Sequence, residues 1–519
     1  MAGDADLVFV GGTIFTASLS KPWAKALAVR SDRIVAVGTD AQAERWASRG
    51  TRRIDLRGRV VVPGFIDAHA HMAEEAGGLD WSDLAGARSL DVAIERLRAA
   101  AASGALGQPV IGVGWDEAKW PERRYLSRED LDRVAKDRPV VAVRVDWHIG
   151  CVNSFALESA RDLVPLRGYE VDATGRPTGV LKEEAFGAFW SRVEPDEAAI
   201  LRGLPAIVRR AHRLGITSIH DVVGAKEWHA YQRAHRSGRL GIRVYGMLRD
   251  RHLPDLVAAG FATGLGDPWL RLGAVKVFSD GSLGAYTANL AEPYEGRPGD
   301  RGMLVHAPEE LRSILGTAHR AGFQTATHAI GDAAIRVTLD AIETVQREDP
   351  RPDARHRIEH YEMPDEPVLE RTKAAGVVPS CQPNFVGQWS GPFDVYETRL
   401  GLARSSRNNP YRSVVRAGLP LCFGSDGMPY GPLYGLHWAV NGFYADQRLT
   451  VEEAIRAYTA GGANASFEEG LKGTIEPGKL ADFVVLGGDP FREPARIHSM
   501  RVESTWVGGR RVHGAAPKR

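Results

Sequence analysis

The stretch Val60 to Met72 (VVVPGFIDAHAHM) constrains this chain more than any other. A run of valines ends at Pro63-Gly64, and an apolar segment then carries Asp67, His69 and His71. Side chains alternate faces along a strand, so His69 and His71 point the same way. Two imidazoles so placed hold a divalent cation if other ligands converge on them. Taken alone, the pair fits equally well a buried strand whose histidines are hydrogen-bonded. The remainder of the chain has to decide.

Both ends of the chain read as short strands. Leu7–Val10, Thr13–Phe15, Ala26–Val29, Arg33–Val37, Arg53–Leu56 and Val60–Val62 lie at the start, with Leu480–Leu486 and Val502–Val507 at the end. Turn residues such as Gly11-Gly12 and Gly487-Gly488-Asp489-Pro490 separate them. One small β-sandwich built from both termini (1–62 with 471–519) is expected. From Pro205 onward strands and helices alternate. Helices at Pro205–Leu214, Glu227–Ser237, Pro308–Ala321, Ala333–Arg347, Pro367–Ala375 and Tyr411–Ala417 separate strands at Ile216–His220, Ile242–Leu248, Leu272–Phe278, Gln324–His328, Arg357–His360, Val377–Cys381 and Leu419–Gly424. With the opening strand these make the eight of an α/β fold, a TIM-like (β/α)8 barrel over 63–80 and 205–470. Residues 81–204 break the alternation and read as an insertion after the first barrel strand.

Composition narrows the partners. The 519 residues carry 66 basic and 65 acidic side chains, a net charge of +1, which gives no electrostatic case for nucleic acid or an anionic membrane. Cys151, Cys381 and Cys422 are too few and too scattered for a disulfide framework. The first residues lack the pattern of a signal peptide, and no apolar run is long enough to span a bilayer. A cytoplasmic enzyme acting on a small molecule is expected.

Barrel chemistry sits at the carboxyl ends of the strands. His69 and His71 lie there on the first strand, Lys276 on the fourth, His328 on the fifth, His360 on the sixth and Asp426 after the eighth. His356 shares the parity of His360, but His360 lies nearer the carboxyl end. His220 at the end of the second strand and His148 in the insertion are candidates for substrate contact. Trp115 and Asp116 read either as a pocket wall or as a packing surface.

The string PGFIDAHAH resembles the first-strand signature of the amidohydrolase superfamily. VKVFSDGSLG at Val275–Gly284, HAIGD at His328–Asp332, RIEH at Arg357–His360 and GSDGMP at Gly424–Pro429 are similar to amidohydrolase family 3, the YtcJ-like branch, which includes N-substituted formamide deformylases. The chain departs from that pattern at Ala285-Tyr286, where Ser-Arg is expected, and at Ala333. The resemblance implies two divalent metals, zinc first among them, held by His69, His71, His328, His360 and Asp426. It further implies that Lys276 reacts with carbon dioxide and bridges them as a carbamate. Asp426 then also serves as the catalytic proton carrier for the attacking water and the leaving amine.

The implied activity is hydrolysis of a non-peptide C–N bond in an N-acyl or N-formyl amine, carbamate or cyclic amide. A deaminase on the same barrel is the alternative, although His328-Ala329-Ile330-Gly331 lacks the glutamate such enzymes often place three residues on. A non-catalytic scaffold is disfavoured because all six ligand positions are filled. Long segments at Ser279–Met303, with Tyr286 and Tyr294, and at Gln382–Asn409, with Phe385, Trp389, Phe393 and Tyr396, read as loops over the centre. Their aromatics suit a bulky apolar substrate group, or the interface of a homodimer.

Overall fold

The computed structural model of the chain describes residues 4–104 and 107–514. Val60 to Met72 is divided at Gly64. Val60–Pro63 joins a six-stranded sheet with Phe483–Leu486, Val502–Val507 and Arg510–His513 on one side and Thr13–Phe15 and Trp23–Ala24 on the other. Phe65–Ala70 opens the barrel. A Cβ on Gly64 would lie 2.3 Å from Thr217 Oγ1, so only glycine lets the chain cross between the two sheets there.

The second sheet of the sandwich runs Arg33–Gly38, Ala26–Arg30, Leu7–Val10, Arg52–Asp55. Its Phe9 packs edge-on against Phe483 and against Trp506, ring centroids 5.0 Å apart in each case, which puts both termini in one core. Arg243 of the barrel donates to both oxygens of Asp482 at 2.6 and 3.0 Å and fastens the sandwich to it.

The barrel strands are β1 (Phe65–Ala70), β2 (Ile216–Val223), β3 (Arg243–Arg249), β4 (Leu270–Phe278), β5 (Thr325–Ala329), β6 (Arg357–His360), β7 (Val378–Cys381) and β8 (Cys422–Phe423), adjacent in that order and parallel. Their residues are almost all buried, with helices covering the outer face and polar groups such as Arg357 and Glu359 paired within the interior. Val275, Val277 and Ile358 pack outward, while Tyr245, Met247, Ala274 and Ala326 fill the interior. Closure onto β1 runs through Asp67, whose carboxylate accepts the Ser425 N–H at 2.8 Å and the Ser425 hydroxyl at 2.5 Å. Asp426 N–H donates to His69 O at 2.8 Å. A Cβ on Gly424 would stand 2.3 Å from His69 N, so this glycine permits the close approach.

Between β1 and β2 the insertion builds its own six-stranded sheet, in the order Tyr169–Val171, Pro177–Lys182, Ile149–Val152, Val140–Arg144, Val110–Trp115, Ser82–Asp83. Two expectations need correction. The helix read as starting at Pro205 begins at Glu197, capped by Asp196, and runs to Arg213 with Pro205 inside it. Gly203 meets Ala76 O so closely that a Cβ there would lie 1.8 Å from it. That packing against helix Met72–Gly77 outweighs the lost proline N–H. The segment Gln382–Asn409 is not a loop but carries short helices at Pro383–Trp389, Val395–Leu400 and Leu402–Ser405.

His356 is spent beneath β6 and takes no part in the rim. His319 Nε2 faces Asp349 O at 2.6 Å, His319 Nδ1 faces His356 Nε2 at 2.8 Å, and His356 Nδ1 accepts the Thr325 N–H at 3.0 Å. The chain of donors and acceptors closes only if both rings are neutral. Burial, with His319 and Arg351 nearby, pushes His356 down to about 3 from its ordinary 6.5. Below pH 6.5 the unfolded chain therefore binds a proton that the fold refuses. This stability is fully present above 6.5 and is lost progressively as pH falls towards 3. In urea unfolding from pH 7.5 to 4, we expect His356→Asn to flatten that decline, with a wild-type difference on the order of a few kcal/mol. Parallel slopes for the two proteins would contradict it.

Candidate metal centre

The strand ends deliver six side chains to one rim. His69 Nε2 lies 3.7 Å and His71 Nε2 3.1 Å from Asp426 Oδ1. The three donor atoms of His69, His71 and Asp426 fall within 4.8 Å of one another. Lys276 Nζ is 3.3 Å from His69 Nε2. The ring of His360 is 5.0 Å from that of His69 and 4.3 Å from that of His328. Asp426 has a left-handed backbone (φ 54°) followed by Gly427 (φ 73°), a tight turn that swings the carboxylate over the barrel mouth.

His360 reaches the rim by a route that strand parity does not give. Arg357 and Glu359 point into the barrel and Ile358 outward, so parity alone would turn His360 out as well. Left-handed backbone at His360 (φ 73°) and Tyr361 (φ 50°) redirects the imidazole inward and sends Tyr361 to the outer core. Non-glycine residues in this region carry strain, and such residues gather at functional sites.

Each buried imidazole is fixed from behind. His69 Nδ1 is 2.5 Å from Glu359 Oε2, His360 Nδ1 is 2.8 Å from Gln382 Oε1, and His328 Nε2 is 3.1 Å from Gly281 O. An acceptor on the outer nitrogen holds the proton there and leaves the other lone pair for the centre. Burial pushes His360 down to about 4 and holds His69 and His328 well below the ordinary range. Burial also lowers Lys276 to about 8, opposed by Glu359 and Asp426. Burial would raise Asp426, but His69 and His71 hold its carboxyl far below the usual range. His71 is raised to about 9 against the cost of its burial by Asp426 and Glu74.

Asp426 Oδ1 is buried and makes no well-formed hydrogen bond. An ionised oxygen in that condition is costly unless a cation completes its shell. Neutral His69, His328 and His360 beside an anionic carboxylate, with His71 joining them once a bound cation displaces its proton, are the donor set that zinc and its neighbours take, so the residues fit a divalent metal.

The remaining sequence candidates divide. His148 comes over from the insertion, its Nδ1 2.9 Å from Glu183 Oε2 and its ring 5.1 Å from that of His328. Trp389 walls a space beside His360. Trp115 is buried in the insertion core, stacked on Trp120 at 5.7 Å, and Asp116 caps the turn Glu117–Lys119. His220 is buried below the rim and accepts from Arg357 Nη1 at 2.9 Å. Tyr286 packs on Tyr294 at 5.1 Å with the Arg399 guanidinium 4.0 Å from its ring centre. None of these four lines the cavities at the centre. Asp280, after β4, accepts the N–H groups of Asn289, Ile330 and Gly331 at 2.8 to 3.0 Å. Sequence reasoning passed over Glu359, Gln382 and Glu183. Glu359 was readable within RIEH, but nothing in the sequence joins Gln382 or Glu183 to a ligand.

Comparison with known proteins gives the family. A model of the amidohydrolase family matches residues 52–513. The putative amidohydrolase YtcJ of Bacillus subtilis (strain 168) is 32% identical over 98% of this chain and 99% of its own length. The N-substituted formamide deformylase of Arthrobacter pascens is 28% identical over 97% of each. Among solved structures, an uncharacterized metal-dependent hydrolase from Pyrococcus furiosus superposes with a TM-score of 0.75 at 30% identity, covering 93% of this chain and 99% of that one. With the family match spanning sandwich, insertion and barrel alike, the chain belongs to the amidohydrolase family.

Proposed function

We propose that the protein is a metal-dependent hydrolase of a carbon–nitrogen bond other than a peptide bond. The observation that carries this is the convergence of His69, His71 and the buried carboxylate of Asp426, with His328, His360 and Lys276 around them. The relatives named as amidohydrolase and formamide deformylase support the reaction class. His69, His71, His328, His360, Asp426 and Lys276, the last as its carbamate, would hold two zinc ions. The metals, when bound, make water a nucleophile near neutral pH and polarise the carbonyl.

The other steps belong to side chains. Asp426, anionic and facing both cavities, accepts the proton of the attacking water and hands it to the departing nitrogen. His148, held by Glu183, faces the same space and positions the substrate. Glu359 keeps the His69 lone pair turned to the metals. In the described residues no helix is long and apolar enough to cross a membrane.

Two variants test the reading. With a substrate found by screening N-formyl and N-acyl amines, carbamates and cyclic amides, Asp426→Asn should lower kcat about 10²–10⁴-fold while the protein stays folded. Near-normal turnover in that folded, metal-loaded variant would place the proton carrier elsewhere. Glu359→Gln should weaken zinc binding about 10–100-fold in a chelator competition, since the carboxylate behind a ligating histidine tunes its basicity. Unchanged affinity would remove Glu359 from the centre.

A further inference from the structure

His71 stands apart from the other imidazoles of the centre. His69, His328 and His360 are almost wholly buried, and each is fixed from behind by a group of the barrel at 2.5 to 3.1 Å. The side chain of His71 is 26% exposed, and its outer nitrogen, Nδ1, faces Glu74 Oε2 at 3.6 Å. The orientation of this ring therefore depends on how firmly Glu74 is held.

Glu74 lies on the helix Met72–Gly77, which continues directly from β1. Asp221, on β2, accepts the N–H groups of Met72 and Ala73 at 2.6 and 3.1 Å and fixes the first turn of that helix. The Glu74 side chain is held from elsewhere. Trp190, on the insertion helix Glu183–Val193, donates its indole N–H to Glu74 Oε1 at 2.7 Å. Arg249, at the end of β3, lies 3.6 Å from Oε2, too far for a hydrogen bond. Burial would raise the Glu74 carboxyl, but His71, Arg249 and Trp190 hold it below the ordinary range. The bond from Trp190 is thus made to an anion, which makes it shorter and stronger than one between neutral groups.

Trp190 itself has little freedom to turn. Its ring meets those of Trp81 and Trp147, also of the insertion, edge-on at 5.4 and 5.3 Å. A Cβ on Gly78 would lie 2.2 Å from Trp81 Cε3, so the turn that ends the Glu74 helix is shaped to receive this cluster.

We infer that Trp190 is a positioning residue of the metal centre, which from the insertion, through Glu74, fixes the orientation of His71. This rests on the proposed binding of metal at the rim. An acceptor held behind a ligating imidazole sets its ring and its basicity. For His71 that acceptor is anchored by a different part of the chain from the one that carries the ligand. The insertion then completes the centre as well as covering it.

The test compares the full chain with Trp190→Phe, Glu74→Gln and the double variant, zinc being titrated against a chromophoric chelator. The zinc that His71 binds is the equivalent lost in His71→Ala. We expect Glu74→Gln to weaken it about 10–100-fold and Trp190→Phe about 3–10-fold, with the double variant no weaker than Glu74→Gln alone. The visible spectrum of the cobalt-substituted protein should shift in Trp190→Phe, while the metal-free variant melts within about 3 °C of the wild type. Additive losses in the double variant, or zinc affinity and cobalt spectrum unmoved by Trp190→Phe, would overturn the inference. If Trp190→Phe folds poorly, 3-benzothienylalanine at position 190, isosteric with tryptophan but lacking the N–H, takes its place and the same outcomes decide. A chain that takes up no metal refutes the metal reading itself. Crystals of the metal-free wild type and variant then decide the orientation: a His71 ring displaced in the variant sustains the inference, and an unmoved ring refutes it.

Discussion

Arg357 ties the barrel together directly beneath the centre. Its guanidinium, fully buried, donates to Glu359 Oε1 at 2.7 Å and Oε2 at 3.0 Å, to Ala68 O at 2.6 Å, to Ser380 Oγ at 3.0 Å and to His220 Nδ1 at 2.9 Å. These partners belong to β6, β1, β7 and β2. A buried ion pair is a weak source of stability, because desolvating both charges offsets most of their attraction, but removing one partner leaves an uncompensated charge. The pair here therefore acts chiefly as a fixture. It aims Glu359 at His69 and through it sets where the rim face of β1 lies. His220 has its place in the same knot as an acceptor below the rim.

The insertion is joined to the barrel by a second polar knot. Arg144 donates to Glu117 at 2.8 and 3.0 Å and to Asp146 at 2.6 Å, while Asp146 also accepts the Ser282 hydroxyl at 2.5 Å. Arg399, on helix Val395–Leu400, reaches Glu117 at 3.2 Å and Gly284 O at 3.3 Å. Ser282 follows Gly281, whose carbonyl meets His328 Nε2 at 3.1 Å. The insertion thus braces the loop after β4, and with it the orientation of His328, besides carrying His148 to the centre.

Much of this was legible because strand periodicity and the carboxyl-end rule act locally. His69, Lys276 and His328 follow from parity within their own strands. His360 does not, since its inward turn depends on left-handed backbone that the string RIEH does not announce. The patch at Trp115-Asp116 belongs to folding of the insertion, where Trp115 stacks on Trp120, and Asp116, 3.7 Å from Arg144, stands with its neighbour Glu117 at the junction. The aromatic segment after β7 does border the centre, but as short helices that leave a narrow space. Volume is set by packing between distant segments, and no local pattern encodes it.

Anomalous diffraction at the zinc edge from crystals of the zinc-loaded protein tests most directly whether His69, His71, Lys276, His328, His360 and Asp426 hold metal. Two strong peaks are expected, one within bonding distance of His69, His71 and Asp426 and the other within bonding distance of His328 and His360, with density for a carbamate on Lys276 between them. The absence of any peak at Asp426 in protein shown by elemental analysis to carry zinc would contradict the account.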